Sequence, residues 1–288
     1  MKDECNAAAG PFSTACRRMN MATKVLVNAC AGKMGRRILA LLLEDPDLEL
    51  IGAREAQGHP ELGTDAGRLV GKGDLGVPVL AAGEELPREL DVAIDFSAPP
   101  ATLELARALG TKKIPMVSGT TGFTDQELGE LSESLDGVPF VLAPNMSVGV
   151  NVLFKLAHDV TRILGESFDI EIVEAHHRFK ADAPSGTALR LGEEVARARE
   201  VALSEKACYG REGRCGARDS GEIGILAVRA GDIVGEHTVV FGGLGERIEL
   251  VHKAHTRDNF VMGALRAAKW ITGRPAGKYD MMDVLGLR

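Results

Sequence analysis

From Lys24 onward, short apolar runs of strand length alternate with longer runs whose apolar residues recur at helical spacing. No other feature of the sequence narrows the fold so far. "KVLVNA" reads as a strand and "KMGRRILALLLED" as a helix closed by Pro46. "LELIGARE", "LDVAIDFS", "IPMVSG" and "PFVLAP" read as further strands, with helices near Ala101–Leu109 and Asp125–Leu135 between them. Antiparallel strands can be joined by a tight turn, whereas parallel ones need a crossover, usually a helix. The alternation therefore predicts an α/β fold built of βαβ units around a parallel sheet.

After Asn145 the rhythm changes. A long helix over Ser147–Leu164 leads into the strand "DIEIVEAHH", and a second helix runs from Gly186 to Arg199. A polar, glycine-rich loop, "ALSEKACYGREGRCGARDSG", precedes three strand-like runs, "EIGILAVRAG", "EHTVVFGG" and "ERIELVHKA". That grouping predicts an α+β second domain over 148–256 with a mixed sheet. The final amphipathic run, "RDNFVMGALRAAKWITG", is a helix placed to return to the first domain, which then comprises 23–147 and 257–288.

The 288 residues suffice for one large or two modest domains. A formal charge of -7, from 34 basic and 41 acidic side chains, argues against a general nucleic-acid binder. No apolar stretch reaches membrane-spanning length, so no membrane partner is expected. Residues 1–22 lack the apolar segment of a secretory signal and read as a disordered extension, with Met19 or Met21 as alternative starts. Five cysteines at spacings that fit neither zinc nor a disulfide framework suit a reducing cytoplasm.

"NACAGKMGRR" lies where the first strand meets the first helix. Glycines three apart at such a junction let the backbone approach a pyrophosphate at the helix N-terminus, the Rossmann arrangement. Gly32 and Gly35 fit the second and third glycines, while the first position is Ala29, tolerable if its φ stays negative. Glu55 ends the second strand, where an acid meets ribose hydroxyls and favours NAD. Lys33, Arg36 or Arg37 would pull the other way by accepting a 2′-phosphate. "SGTTGF" and "APNMSVG" follow parallel-strand runs, so Gly119, Thr120 and Thr121, with Ala143, Pro144, Asn145 and Met146, belong to the same rim.

"EAHHRFKADAPSGTAL" begins at a strand end and finishes at a helix start. With Ser185 as N-cap, the backbone N–H groups of Gly186 and Thr187 point outward with the helix dipole behind them, an anion site. Lys180 adds positive charge, His177 and the Thr187 hydroxyl add donors, and His176 can hold or release a proton near neutral pH. The assembly suits a small anionic substrate that gains a proton. A metal site drawing on His252 and His255 is the rival reading, but no carboxylate or thiolate stands at ligand spacing beside the histidine pair. No metal is expected.

With these residues in place, the sequence resembles the 4-hydroxy-tetrahydrodipicolinate reductases, also called dihydrodipicolinate reductases, of bacterial lysine and diaminopimelate synthesis. "GTTGF", "NMSVGVNV", "EAHHRFKADAPSGTA", "AVRAGDIVGEHTVVF" and "HKAHTR" carry the resemblance, which spans Lys24 to Leu285. It implies a Rossmann-type nucleotide-binding domain, a mixed-sheet domain for substrate binding and oligomerisation, and a homotetramer. It also implies hydride transfer from NADH or NADPH to a cyclic imine dicarboxylate, with loss of water. By that resemblance His176 is the proton donor or acceptor, Lys180 the second proton donor, and His177, Gly186 and Thr187 hold substrate carboxylates. Cofactor contacts fall on Ala29, Cys30, Ala31, Gly32, Lys33, Met34, Glu55, Gly119, Thr120, Thr121, Ala143, Pro144, Asn145 and Met146.

Two positions depart from the family pattern: Ala29 replaces a glycine, and Ala56 stands where some members carry a phosphate-gripping arginine. Dual cofactor use with NADH at least equal is the expectation. Two alternatives remain. One is a nicotinamide-dependent reductase of another small carboxylate. The other is a nucleotide sensor without catalysis, which His176 and Lys180 together disfavour because a sensor has no need of proton donors.

Overall fold

The computed structural model describes residues 22–288, so the expected N-terminal extension lies outside the described residues except for Ala22. Strand β1 (Thr23–Asn28) buries Val25, Leu26 and Val27 completely, as a central parallel strand covered on both faces must. Helix α1 (Lys33–Leu42) turns Ile38, Leu39 and Leu42 to the core. It stops earlier than "LLLED" suggests, since Pro46 disfavours helical backbone at Asp45. Strand β2 (Leu48–Glu55) pairs with β1, and β3 (Val79–Ala81) with β2.

Strand β4 (Val92–Asp95) returns to the other side of β1. Helix α2 spans Pro99–Lys112, two residues longer at its start than its apolar spacing indicated. Pro99 and Pro100 fit there because first-turn N–H groups have no helical acceptor. Strand β5 (Met116–Ser118), helix α3 (Asp125–Ser134) and strand β6 (Pro139–Leu142) complete this run. A capping box between Thr124 and Glu127 starts α3.

Helix α4 (Val148–Leu164), strand β7 (Asp169–His176) and helix α5 (Gly186–Ala198) open the second sheet's layer. The polar loop contains a single helical turn, α6 (Leu203–Lys206), and a two-residue strand, β8 (Ala207–Cys208). Strands β9 (Ile223–Arg229), β10 (Gly235–Gly242) and β11 (Arg247–Ala254) follow. Helix α7 (Asp258–Ile271), strand β12 (Gly277–Tyr279) and helix α8 (Met281–Leu285) end the chain.

The first sheet has the order β12-β6-β5-β4-β1-β2-β3, all parallel. Its order reverses between β1 and β4, and ligands of such sheets sit beyond the strand ends at that reversal. Helices α1 and α7 cover one face and α2 and α3 the other. The second sheet, β11-β10-β7-β9-β8, is mixed: β10 is antiparallel to β7 and β11, and β9 is parallel to β7 and β8. Its inner face packs Ile170, Ile172, Ile225, Val239 and Phe241 against Leu153, Phe154, Leu191 and Val195 of α4 and α5. Each such side chain contributes about 1.5–3 kcal/mol on burial. The opposite face carries Val228 and Val251, both about half exposed.

The C-terminal segment closes the molecule. Val261, Ala264, Leu265 and Ile271 of α7 share a core with Val25 and Ile38. At Gly263 a Cβ would stand 1.7 Å from the Met146 carbonyl oxygen, so α7 presses directly on the loop between β6 and α4. No helix among the described residues is long and apolar enough to cross a membrane.

Candidate active site

At the reversal point, the ends of three strands are tied to one buried carboxylate. Asp95 accepts hydrogen bonds from Asn28 Nδ2 (2.7 Å), Ser97 Oγ (2.6 Å), Thr102 Oγ1 (2.6 Å), Ser118 Oγ (3.0 Å) and Thr120 Oγ1 (2.9 Å). Five donors replace the water a buried carboxylate loses. They fix β1, β4 and β5 relative to one another beneath the rim. Thr120 is thereby committed: it also accepts from Ser97 N–H, and its side chain faces the protein. Gly119 is required where it stands, because a Cβ would lie 2.2 Å from the Phe96 ring. Thr121 is exposed.

The glycine turn corrects one expectation. Ala29 has φ 51°, in the left-handed region, so the turn keeps a glycine's geometry despite the methyl group. The reason is the neighbouring packing. A Cβ at Gly35 would be 2.1 Å from the Ala29 carbonyl oxygen, and α1 can sit this close only over a tightly reversed turn. Gly32 is the N-cap with extended backbone and no side-chain cap, and no acid stands in the first turn. The first N–H groups of α1 thus face outward for an anion.

Glu55 accepts from Ala31 N–H (3.0 Å) and Ala56 N–H (3.0 Å), which anchors its carboxylate at the edge of this turn. Arg36 and Arg37, two of the three cations able to pair with a 2′-phosphate, already have protein partners. Arg36 donates to the carbonyls of Ala31 and Leu69 and to Glu61, and Arg37 makes a two-pronged pair with Asp258. Lys33 is exposed and has no ion-pair partner among the described residues. The Cys30 side chain is fully buried in the core, its N–H donates to the Arg54 carbonyl, and burial, helped by Glu55, pushes its thiol up to about 12. Ala143 and Met146 are buried as well, while Pro144 is exposed and Asn145 half-buried. The side chains of Cys30, Thr120, Ala143 and Met146 are thus buried, leaving only their backbone toward the cleft.

Across the cleft, strand period two puts Ile170, Ile172, Glu174 and His176 on one face of β7. Glu174 is fully buried. It accepts from His176 Nδ1 (2.7 Å), from both terminal nitrogens of Arg229 (2.8 Å each) and from Ser185 N–H (2.9 Å). Burial opposes ionisation of Glu174, but the Arg229 and His176 hydrogen bonds outweigh it and hold the carboxyl below its ordinary range. With Nδ1 donating to Glu174, His176 presents Nε2 as its free nitrogen. Gly235 makes room for it, since a Cβ there would stand 3.1 Å from Nε2.

Ser185 caps α5, its Oγ accepting from Ala188 N–H at 3.2 Å. Gly186 is exposed and Thr187 half-buried, both in the first turn of the helix, and that turn holds no acid. Lys180 Nζ lies 2.9 Å from Asp182 Oδ2, and His177 Nδ1 is buried without a partner among the described residues. Asn145 Nδ2 donates to Thr187 Oγ1 at 3.1 Å, joining the β6–α4 loop to the start of α5. The two rims predicted separately therefore meet at one cleft.

Sequence reasoning missed Glu174, Arg229 and His237 as members of this site. The alternation in "DIEIVEAHH" carried the signal for Glu174: an acid on the apolar face of a strand needs a partner. His237, 4% exposed, lies in the β10 register opposite Glu174, with Nε2 3.2 Å from Ser185 Oγ. Its pKa is pushed down to about 3, by burial first and then by the charge of His176.

The profile of "Dihydrodipicolinate reductase, N-terminus" matches residues 23–146, and that of "Dihydrodipicolinate reductase, C-terminus" residues 149–285. The 4-hydroxy-tetrahydrodipicolinate reductases of Geotalea uraniireducens (strain Rf4) and Citrifermentans bemidjiense are 50% and 51% identical to this chain. Each alignment covers 92% of this chain and 99% of the relative. A solved structure, dipicolinate-bound dihydrodipicolinate reductase from Paenisporosarcina sp. TG-14, matches with a TM-score of 0.69 at 25% identity, covering 91% of this chain and 99% of that one. The fold extends further, to a myo-inositol dehydrogenase from Corynebacterium glutamicum with a TM-score of 0.52 at 13% identity, over 93% and 94% of the two chains. With both profiles matched in order along nearly all of the described residues, the chain belongs to the dihydrodipicolinate reductase family.

Proposed function

We propose that the chain reduces 4-hydroxy-tetrahydrodipicolinate to tetrahydrodipicolinate, with loss of water, in lysine and diaminopimelate biosynthesis. One observation carries this reading: a histidine oriented by a buried carboxylate stands beside an open helix start. Glu174 fixes both partners at once, holding His176 Nδ1 and Ser185 N–H on its two oxygens. Family membership supplies the substrate identity that geometry alone leaves open.

The residues present fit a nicotinamide dinucleotide. Gly35 permits the close approach of α1 to its turn, the uncapped first turn accepts a pyrophosphate, and Glu55 is placed for ribose hydroxyls. When bound, that cofactor supplies the hydride. The protein supplies the rest. The N–H groups of Gly186 and Thr187, with Lys180 and His177, receive the substrate carboxylates by charge-assisted hydrogen bonds. A substrate carboxylate takes the place of Asp182 on Lys180 Nζ. Adding hydride while hydroxide leaves as water consumes one proton, and His176 Nε2 delivers it. Lys180 is the second proton donor: a ring C–H proton is released as water leaves, and Lys180 returns a proton to the ring as hydride adds, so the net uptake stays at one.

Both NADH and NADPH serve, with NADH at least equal. Glu55 disfavours a 2′-phosphate, Ala56 offers no cation, and Arg36 and Arg37 are engaged; Lys33 remains for the phosphate. The chain assembles as a homotetramer through the uncovered face of the second sheet, where Val228 and Val251 are exposed. It works in the cytoplasm.

The test is nicotinamide absorbance with freshly generated synthase product and each cofactor in turn. Substrate-dependent loss of NADH absorbance is the expected result. Turnover of a different carboxylate, with none of this substrate, would overturn the reading.

A further inference from the structure

His176 and Ser185 are bridged twice. Glu174 makes the first bridge by hydrogen bonds to His176 Nδ1 and Ser185 N–H. His237 makes the second: its ring stands edge-on to the His176 ring, centroids 5.2 Å apart, and its Nε2 reaches Ser185 Oγ at 3.2 Å. On its far side it faces His252 at 6.4 Å, so it is walled in by the β7 and β11 neighbours of its own strand. Its Nδ1 is buried and has no partner among the described residues. A leucine of similar bulk would leave no buried nitrogen unpaired, so packing alone does not account for an imidazole here.

We infer that His237 is a positioning residue, which fixes the Ser185 hydroxyl and backs the His176 ring so that the anion-binding helix start and the proton donor keep one relative geometry. Ser185 Oγ already accepts from Ala188 N–H, which leaves the hydroxyl hydrogen for an acceptor, and neutral His237 offers Nε2. Were Ser185 free to rotate, its cap would loosen and the outward N–H groups of Gly186 and Thr187 would shift with it. This inference rests on the reductase reading for the meaning of the anion site, but its main readout needs no turnover.

The experiment compares His237→Leu, His237→Gln and Ser185→Ala with the unaltered protein. Pyridine-2,6-dicarboxylate is the probe, titrated by calorimetry in the presence of NADH, and kcat and both KM values are measured alongside. His237→Leu should weaken the dicarboxylate about tenfold and raise its KM, while NADH affinity stays within about twofold. His237→Gln, which keeps a polar atom near Ser185, should recover most of that loss. The Leu and Ser185→Ala losses should be less than additive, since both break one link. Unchanged dicarboxylate binding in His237→Leu, or equal loss of NADH and dicarboxylate affinity, overturns the inference. So does failure of both His237 variants to fold, which would make the residue purely structural. Dicarboxylate binding that follows this pattern without any turnover would instead sink the reaction while leaving the role of His237 intact.

Discussion

Asn145 Nδ2 donates to Thr187 Oγ1 at 3.1 Å, and this bond joins the rim of the parallel sheet to the helix start of the mixed sheet. Asn145 is itself braced: its Oδ1 accepts from Ser147 N–H, and its carbonyl accepts from Asn151. The amide therefore reports the position of Thr187 to the nucleotide side. Thr187→Val keeps the shape and removes the acceptor. NADH affinity, measured by fluorescence without substrate, should weaken about two- to tenfold, the worth of one such bond. An unchanged value would mean that the two rims act independently.

Gly235 sets the space available to His176. Its φ lies outside the left-handed region, so alanine suits the backbone, yet the added Cβ would meet Nε2 at 3.1 Å. The ring must move by a few tenths of an ångström, and its bond to Glu174 bends with it. Gly235→Ala should lower kcat about tenfold or more if His176 is the proton donor proposed above, since the ring loses its alignment. Thermal stability should change little. Steady-state kinetics beside a melting curve checks both, and a fully active variant would show that the ring tolerates the displacement.

The parallel sheet was legible because its strands are fully apolar and its helices carry a clear face; "LELIGARE" matches β2 residue for residue. Strands β3 and β12 were not, since three residues carry no period, and each exists through pairing with a longer neighbour. The capped start of α5 was legible from Ser185, Gly186 and Thr187 as local chemistry. Asp95, Arg229 and His237 were not, because their roles arise from partners 2 to 67 residues away in the chain. Arg36 and Arg37 show the converse: local position suggested phosphate binding, and long-range partners had already claimed both.

Ala29 carries a cost that glycine would not. At φ 51° its Cβ crowds the following carbonyl, roughly 1–2 kcal/mol for an L-residue. Glycine returns some of that through its greater freedom in the unfolded chain. Ala29→Gly should therefore raise stability by up to about 1 kcal/mol, seen as a higher urea midpoint with unchanged slope. A lower midpoint would mean that the methyl makes a compensating contact.

Ala56 is exposed, and its N–H donates to Glu55 Oε1. In the cofactor pose proposed above, an arginine there would set a guanidinium beside the 2′-phosphate, able to pair with it in two-pronged fashion. Ala56→Arg should raise the ratio of NADPH to NADH kcat/KM about tenfold, chiefly through the NADPH KM. A constant ratio would remove Ala56 from the preference.

Acid should weaken the fold in two overlapping windows. His237 is held neutral, its pKa about 3, whereas an unfolded histidine protonates near pH 6.5. Below that pH the unfolded chain takes up a proton that the fold refuses, so stability falls as pH drops from about 6.5 toward about 3. At pH 5 the loss is about 2 kcal/mol, and His252, lowered by its own burial, adds to it. Glu174 is held below its ordinary range, so its contribution is complete above about pH 4.3 and declines as pH falls through the folded value. Melting temperatures of the native protein and His237→Gln between pH 7 and pH 4 separate the two. The variant should show a flatter curve over the whole range from pH 6.5 to 4, and both proteins should lose the Glu174 contribution below about pH 4.3. Parallel curves throughout would mean that His237 takes up its proton in the folded state as readily as in the unfolded chain.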